Sequence, residues 1–341
     1  MDSLTHLALG AVVGEATLGR RVGNKALLWG AALATVPDLD VVVGNLLDDL
    51  AALTFHRSYT HSLLFVVLAA PLFGYLAHRI HRRDGVGWRA WTGLALAALG
   101  TAVLLDAFTT YGVQLFLPFS DQAVALNTIA VIDPLFTLPV LVAALTLLWL
   151  RRDRPARRIL AGAALGLSGL YLGLTVVNKL HMETVFERDL QARGVVYERY
   201  FVKPTVFNNL LWRAVVETEA DYRVGFRSLL DDAGPIEWHR FPKRHALADP
   251  VAHSAAFERL VWVTKGYYQL EAGEGGALYL HDMRYGRAFE WLGDEREMVF
   301  TYRLRPKADG EVRFERVPLP VDRERERAVL GELVRRIRGA G

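Results

Sequence analysis

The chain has 341 residues, a formal charge of +3 and no cysteine, which excludes disulfides, thiolate zinc sites and a cysteine nucleophile. The small positive excess falls in short clusters beside apolar runs, so it reads as membrane topology and no nucleic-acid partner is expected. Composition changes near residue 180: Leu, Ala, Val and Gly dominate before it, and charged and aromatic residues alternate after it. The expected architecture is an α-helical polytopic membrane domain of five or six helices over 1–180, followed by a smaller α+β domain with an antiparallel sheet over 181–341. The N-terminus lacks a basic region and a small-residue cleavage site, so a removed signal peptide is not expected.

Six apolar segments can be drawn, at 4–19, 26–44, 61–78, 90–108, 132–150 and 159–179, most of them near the ~17–25 residues that a spanning helix needs. The first is short and carries His6 and Glu15, so a re-entrant or partly buried helix is its alternative. Arg20, Arg21 and Lys25 follow the first segment. Arg79, Arg82, Arg83 and Arg89 separate the third from the fourth, and Arg151, Arg152, Arg154, Arg157 and Arg158 separate the fifth from the sixth. Every second loop is therefore basic, while the loops at 45–60 and 109–131 hold Arg57 as their sole Lys or Arg. The positive-inside rule puts the basic loops in the cytoplasm. The N-terminus, the loop before the third segment and the C-terminal half then lie outside it, in a multi-pass inner (cell) membrane protein.

The stretch His56-Arg57-Ser58-Tyr59-Thr60-His61-Ser62 lies at the mouth of the third segment, where hydrocarbon penalises unsatisfied polar groups by several kcal/mol each. Five residues place the two histidines about 140° apart on an ideal helix. Both can face one point if His56 lies on a turn and His61 opens the helix, which suggests a shared metal ion at the membrane surface. Under the topology above, His6, Asp38, Asp40, His61 and Asp106 reach similar depth, and buried carboxylates are costly unless paired or metal-bound. Pro37 disfavours helix at Val36, so Asp38-Leu39-Asp40 is expected to be extended, with both carboxylates on one face. Asp133-Pro134 reads instead as a routine helix cap. His78 and His81 belong to the basic interfacial cluster, with Trp88 and Trp91 in the aromatic belt.

Taken together, His6 after Asp2-Ser3-Leu4-Thr5, the run Ala34-Thr35-Val36-Pro37-Asp38-Leu39-Asp40, His56-Arg57 with Thr60-His61-Ser62, and Leu104-Leu105-Asp106 resemble the membrane-bound metal-dependent hydrolase family. The resemblance is to its LexA-regulated inner-membrane phospholipase type and covers most of 1–150. Tyr111-Gly112, Pro118-Phe119-Ser120 and, further on, Pro204-Thr205, Trp212-Arg213 and Tyr222 are similar to its longer members, which carry a polar C-terminal domain. The resemblance implies that His6, Asp38, Asp40, His56, His61 and Asp106 are the metal-site residues. It also implies a histidine one helical turn before Asp106, where this chain has Ala102.

In the polar half, a helix is expected from His181 to about Gly194, leaving the membrane. Strands are expected at Trp212–Glu219, Tyr222–Leu230, Val261–Leu270, Ala277–Met283, Met298–Leu304 and Val312–Val317. A helix candidate follows Asp249-Pro250, and an amphipathic helix over 322–338 repeats Val329, Leu330, Leu333, Val334 and Ile337 at helical spacing. His239, His245, His253 and His281 lack ligand spacing, so no catalytic set is expected in this half.

Imidazole and carboxylate ligands suit one or two divalent ions, zinc first, with manganese or iron as alternatives. The expected function is hydrolysis by a metal-activated water of a phospholipid or other amphiphilic phosphoester drawn from the lipid bilayer. In that scheme Asp38 or Asp40 takes the water's proton or bridges a second ion, and Arg57 steadies a phosphate. Two other classes compete. Glu15, Asp38, Asp40 and Asp106 would also suit an ion or proton transporter, and a metal held without turnover would suit a membrane scaffold.

Overall fold

Asp2 starts the first helix by accepting the Thr5 amide on its carboxylate, and α1 then runs over Ser3–Gly14. The computed structural model describes residues 1–47, 49–292, 297–306, 312–319 and 323–339. These divide into two compact units. The first comprises Met1–Leu46, Phe55–Asn178 and Val206–Asn209, and the second Leu47–Thr54, Lys179–Thr205 and Leu210–Gly341.

In the first unit α1 passes through a π-turn, Glu15–Gly19, to a last turn at Arg20–Val22. Then follow α2 (Asn24–Thr35), α3 (Asp40–Gly44), α5 (Leu63–Ile80), α6 (Trp88–Ala107), α7 (Pro134–Trp149) and, as far as Asn178, α8 (Pro155–Ala192), while the short α4 (Asp49–Phe55) belongs up to Thr54 to the second unit. By length and composition α5, α6 and α8 can each cross a membrane, and α2 with Pro37–Gly44, bent by 45°, makes a fourth candidate span. The apolar segment at 159–179 and the polar run after His181 form one continuous helix, α8.

Small residues set the closest approach in this unit. Gly10 and Gly14 stand four apart on α1 and meet Ala26, Gly30 and Ala34 of α2. A Cβ on Gly14 would lie 2.1 Å from the Ala26 carbonyl oxygen, and one on Gly30 would lie 2.1 Å from that of Gly10. Helices that lack a hydrophobic drive toward each other in lipid gain from such backbone contact through dispersion. At the far end of α1, Glu15 is buried and takes a fork of hydrogen bonds from Arg157, Nε to Oε1 at 2.9 Å and Nη2 to Oε2 at 2.6 Å. The remaining Arg157 nitrogen, Nη1, donates to Asn24 Oδ1 and to the Leu147 and Leu150 carbonyls, so it ties down the C-terminus of α7. Asp133 caps α7 by accepting the Leu135 and Phe136 amides, as the sequence suggested.

The second unit holds two four-stranded antiparallel meanders. The first is β1 (Arg199–Pro204), β2 (Leu211–Glu217), β3 (Asp221–Ser228) and β4 (Trp238–Pro242). The second is β5 (Tyr268–Ala272), β6 (Leu278–Asp282), β7 (Thr301–Pro306) and β8 (Val312–Val317). Alternation sorts the first sheet's faces: Val202, Trp212 and Ala214 pack with Met182 and Phe186 from the polar end of α8, while Leu211, Val215, Tyr222 and Val224 pack on the other side with Tyr267 and Met283. The stretch expected to be a strand at Val261–Leu270 differs. Its first part belongs to a helix, α9 (Ala255–Val263), capped by Ser254, because Phe257, Leu260 and Val261 recur at helical spacing. Lys265 and Gly266, both at positive φ, then turn the chain into β5. The terminal helix α10 spans Arg323–Ile337, and Val329 and Leu333 are buried.

Candidate functional site

Antiparallel packing brings four chain ends to one end of the first unit: the start of α1, the end of α2, the start of α5 and the end of α6. His6 lies one turn into α1. Asp106 is the penultimate residue of α6, and His61 closes a 3₁₀ turn, Tyr59–His61, just before α5. All three are at most 1% exposed.

Asp38 and Asp40 do not lie in extended chain. Pro37–Leu39 is a 3₁₀ turn, Val36 stays in the right-handed helical region despite the proline after it, and Asp40 begins α3. A 3₁₀ turn advances about 120° per residue, so the two carboxylates diverge and meet different partners. Asp38 turns toward His6 (Oδ2 to Nε2, 4.0 Å) and toward His61 (Oδ1 to Nε2, 3.5 Å). Asp40 is buried behind them. It accepts the Arg57 amide at 2.6 Å and lies 3.2 Å from His56 Nδ1 and 3.5 Å from His61 Nδ1.

The innermost group is therefore His6, Asp38 and Asp106, which each offer an atom within 4.8 Å of the others. His6 Nε2 is 3.4 Å from Asp106 Oδ1, and His61 Nε2 is 3.3 Å from Asp106 Oδ2. Neither ring nitrogen of His6, nor Nε2 of His61, makes a hydrogen bond, although all three atoms are buried. His6, Asp38 and Asp106 each offer an atom that could hold a metal ion. Ala102, one turn before Asp106, is buried and offers no ligand atom.

His56 lies on a turn, about a third exposed, and its ring meets Tyr111 edge-on with centroids 5.0 Å apart. Arg57 is held with φ at 57°, a conformation rare for a bulky residue. Most of its polar groups are engaged, with buried Nε left without a hydrogen bond among the described residues. Its amide goes to Asp40, its carbonyl accepts from the Gln114 amide, Nη1 donates to Thr109 Oγ1 at 3.0 Å, and Nη2 lies 3.1 Å from Asp106 Oδ1. The Met1 amino group also lies against Asp106. Thr60 meets His61 Nδ1 at 3.1 Å.

Residues 1–182 match the family described as YdjM inner membrane protein. The chain belongs to the YdjM inner membrane protein family. The match spans all the residues of the site just described. Two relatives extend the comparison. Protein YfhP of Bacillus subtilis (strain 168) is 31% identical over 241 residues, covering 66% of this chain and 68% of that protein. The inner membrane protein YbcI of Escherichia coli (strain K12) is 30% identical over 121 residues, covering 35% of this chain and 68% of that protein. No solved structure matches the chain. Family membership and the long apolar helices agree on a membrane protein.

Thr109, which anchors Arg57, was not singled out as a site residue in the sequence because a threonine after a helix end carries no signal of its own. Its link to the site arises from a hydrogen bond between residues 52 positions apart.

Proposed function

We propose that this member of the YdjM family is a membrane-embedded metal-dependent hydrolase acting on a phospholipid or other amphiphilic phosphoester at the outer membrane surface. The observation that carries the reading is the convergence of His6, Asp38 and Asp106, with His61 Nε2 beside both carboxylates and the buried imidazole nitrogens unpartnered.

The donor set fits a divalent ion that accepts nitrogen and oxygen together, zinc before manganese or iron. His6, His61, Asp38 and Asp106 would hold it. When bound, such an ion polarises a phosphoryl oxygen and lowers the pKa of a water toward roughly 7 in the best zinc cases.

The chain's own residues supply the rest. Nδ1 of His61 meets Thr60 Oγ1 at 3.1 Å and lies 3.5 Å from the Asp40 carboxylate, so Thr60 and the charge of Asp40 together would orient the ring with Nε2 toward Asp38 and Asp106. Arg57 and Thr109 hold the end of α6, and Arg57 balances the charge of Asp106. Asp38, the more exposed of the two inner carboxylates at 17% of its side chain, is placed to accept a proton from water entering the site. The loop before α5 and the segment after α6 carry no lysine and a single arginine, Arg57. By the positive-inside rule this end of the helices, and the polar domain, would face away from the cytoplasm.

The test is metal analysis of the purified full chain, followed by release of product from a short-chain phospholipid by wild type and His61→Ala. Bound divalent metal and hydrolysis that vanish together in the variant would support the reading. Hydrolysis by protein stripped of metal would sink it, and metal without turnover would favour the scaffold instead.

A further inference from the structure

Beyond the metal centre, the second unit carries a cluster of arginines that the proposed hydrolysis does not use. On the α8 face of the first sheet, Arg223 of β3 and Arg240 of β4 are directly paired across the strands. Like charges directly opposite one another in a sheet are destabilising. Trp238 follows on the same face, two residues from Arg240, and Arg193 comes in from just beyond the end of α8. The three arginines, Trp238, Ile236 and Glu237 line an open cavity of about 470 Å³.

The donors in this cavity are unevenly committed. Arg193 spends Nε and Nη2 on Asp189 and on the Ile236 carbonyl, which fixes its guanidinium and leaves Nη1 without a hydrogen bond among the described residues. Among the described residues Arg223 keeps only a loose ion pair with Asp221 at 3.5 Å, and its buried Nε has no hydrogen-bond partner. Arg240 is exposed and pairs with no acid among the described residues. The wall is equally fixed. Trp238 donates its indole N–H to Asp189 at 2.7 Å and lies edge-on to Phe186. Gly225 makes room for that ring, since a Cβ there would lie 2.9 Å from it.

We propose that this cavity binds an organic phosphate monoester. Three guanidinium groups from three elements match the three acceptor oxygens of such a group, and guanidinium forks suit phosphate geometry. The Trp238 ring and Ile236 would pack against the ester's carbon skeleton. A lipid headgroup such as phosphatidate and a soluble ester such as glycerol 3-phosphate share this chemistry.

The experiment is calorimetric titration of the full chain in detergent, with a chelator present so that no metal centre contributes. The probes are glycerol 3-phosphate and dihexanoyl phosphatidate, and the proteins are wild type, Arg240→Gln and Arg223→Lys. Saturable binding that weakens at least tenfold in Arg240→Gln, and by less in Arg223→Lys, is expected. Binding of both probes would identify the phosphate ester itself as the ligand, and binding of the phosphatidate alone would identify a lipid headgroup. Absence of binding to either probe, or binding that Arg240→Gln leaves unchanged, overturns the proposal. Because metal is chelated throughout, that failure would leave the hydrolase reading untouched.

Discussion

His61 reaches two helices with one ring: Nε2 lies 3.3 Å from Asp106 at the end of α6, while Nδ1 lies 3.5 Å from Asp40 at the start of α3. The two carboxylates therefore have separable roles. On the proposed metal reading Asp106→Asn removes one of the residues that would hold the ion, and it is expected to abolish both metal retention and hydrolysis. Asp40→Asn keeps the shape but loses the charge that orients His61, and such outer partners typically cost 10–100-fold in metal affinity or activity. Competition with a graded chelator, read by metal retained per chain, separates the two. Equal loss in both variants would mean that Asp40 touches the ion directly.

The Glu15–Arg157 pair predicts a stability effect away from the site. Both side chains are nearly fully buried, and removing one partner of a buried pair typically costs about 3–5 kcal/mol because the other charge is stranded. Glu15→Ala should lower the unfolding temperature in detergent markedly. Glu15→Ala combined with Arg157→Met should recover part of the loss. The same pair also bears on ion transport, since both oxygens of Glu15 are already engaged by the guanidinium. Thermal unfolding of the single and double variants checks the coupling, and additive losses would contradict it.

Much of this was legible in the sequence, for identifiable reasons. Long apolar runs interrupted by arginine clusters locate helices because the bilayer imposes length and charge constraints on them. The depth argument then collected His6, Asp38, Asp40, His61 and Asp106, whose side chains lie together at one end of the first unit. The division of labour between Asp38 and Asp40 was not legible, because it depends on whether Pro37 opens a 3₁₀ turn or an extended segment, and a proline permits both. Strands β1 and β4 escaped notice for another reason. Arg-Tyr-Phe-Val-Lys-Pro and Trp-His-Arg-Phe-Pro are short, and both are the outer strands of their sheet, where alternation is diluted by charge. The cross-strand pairing of Arg223 with Arg240 was invisible with them, since it exists only once β4 is placed.

The contact between α1 and α2 is a sharper test of the fold than any apolar residue. Gly14 has the Ala26 carbonyl where a side chain would begin, so even alanine must push the two helices apart. Gly14→Leu is expected to destabilise by more than the ~1–3 kcal/mol typical of overpacking, because backbone cannot yield as a side chain can. Since α1 carries His6 and α2 leads to Asp38, metal retention should fall with it. Gly93, with open space around its Cβ position, serves as control: Gly93→Ala on the same scale should be neutral or slightly stabilising. Thermal unfolding and metal content of the two variants decide the point.

Lys203 predicts how the polar domain responds to pH. It is buried on β1, with its ammonium 4.6 Å over the Tyr285 ring. Burial, reinforced by the neighbouring Arg213, pushes its pKa down to about 7, against about 10.4 in an unfolded chain. Between those values the unfolded state holds a proton that the folded state has released, so stability rises with pH across that window. Below about 7 both states are charged, and the full cost of burying the ammonium is felt. Lys265, pushed down to about 8 mainly by burial, acts in the same direction. Replacing Lys203 by methionine keeps the chain length and removes the proton. The variant should be more stable than wild type at pH 6.5, and the difference should shrink steadily toward pH 9.5. Unfolding followed in parallel at several pH values gives the comparison directly, because contributions common to both proteins cancel. A wild-type minus variant difference that stays flat over that range would show that Lys203 is not held as a buried charge.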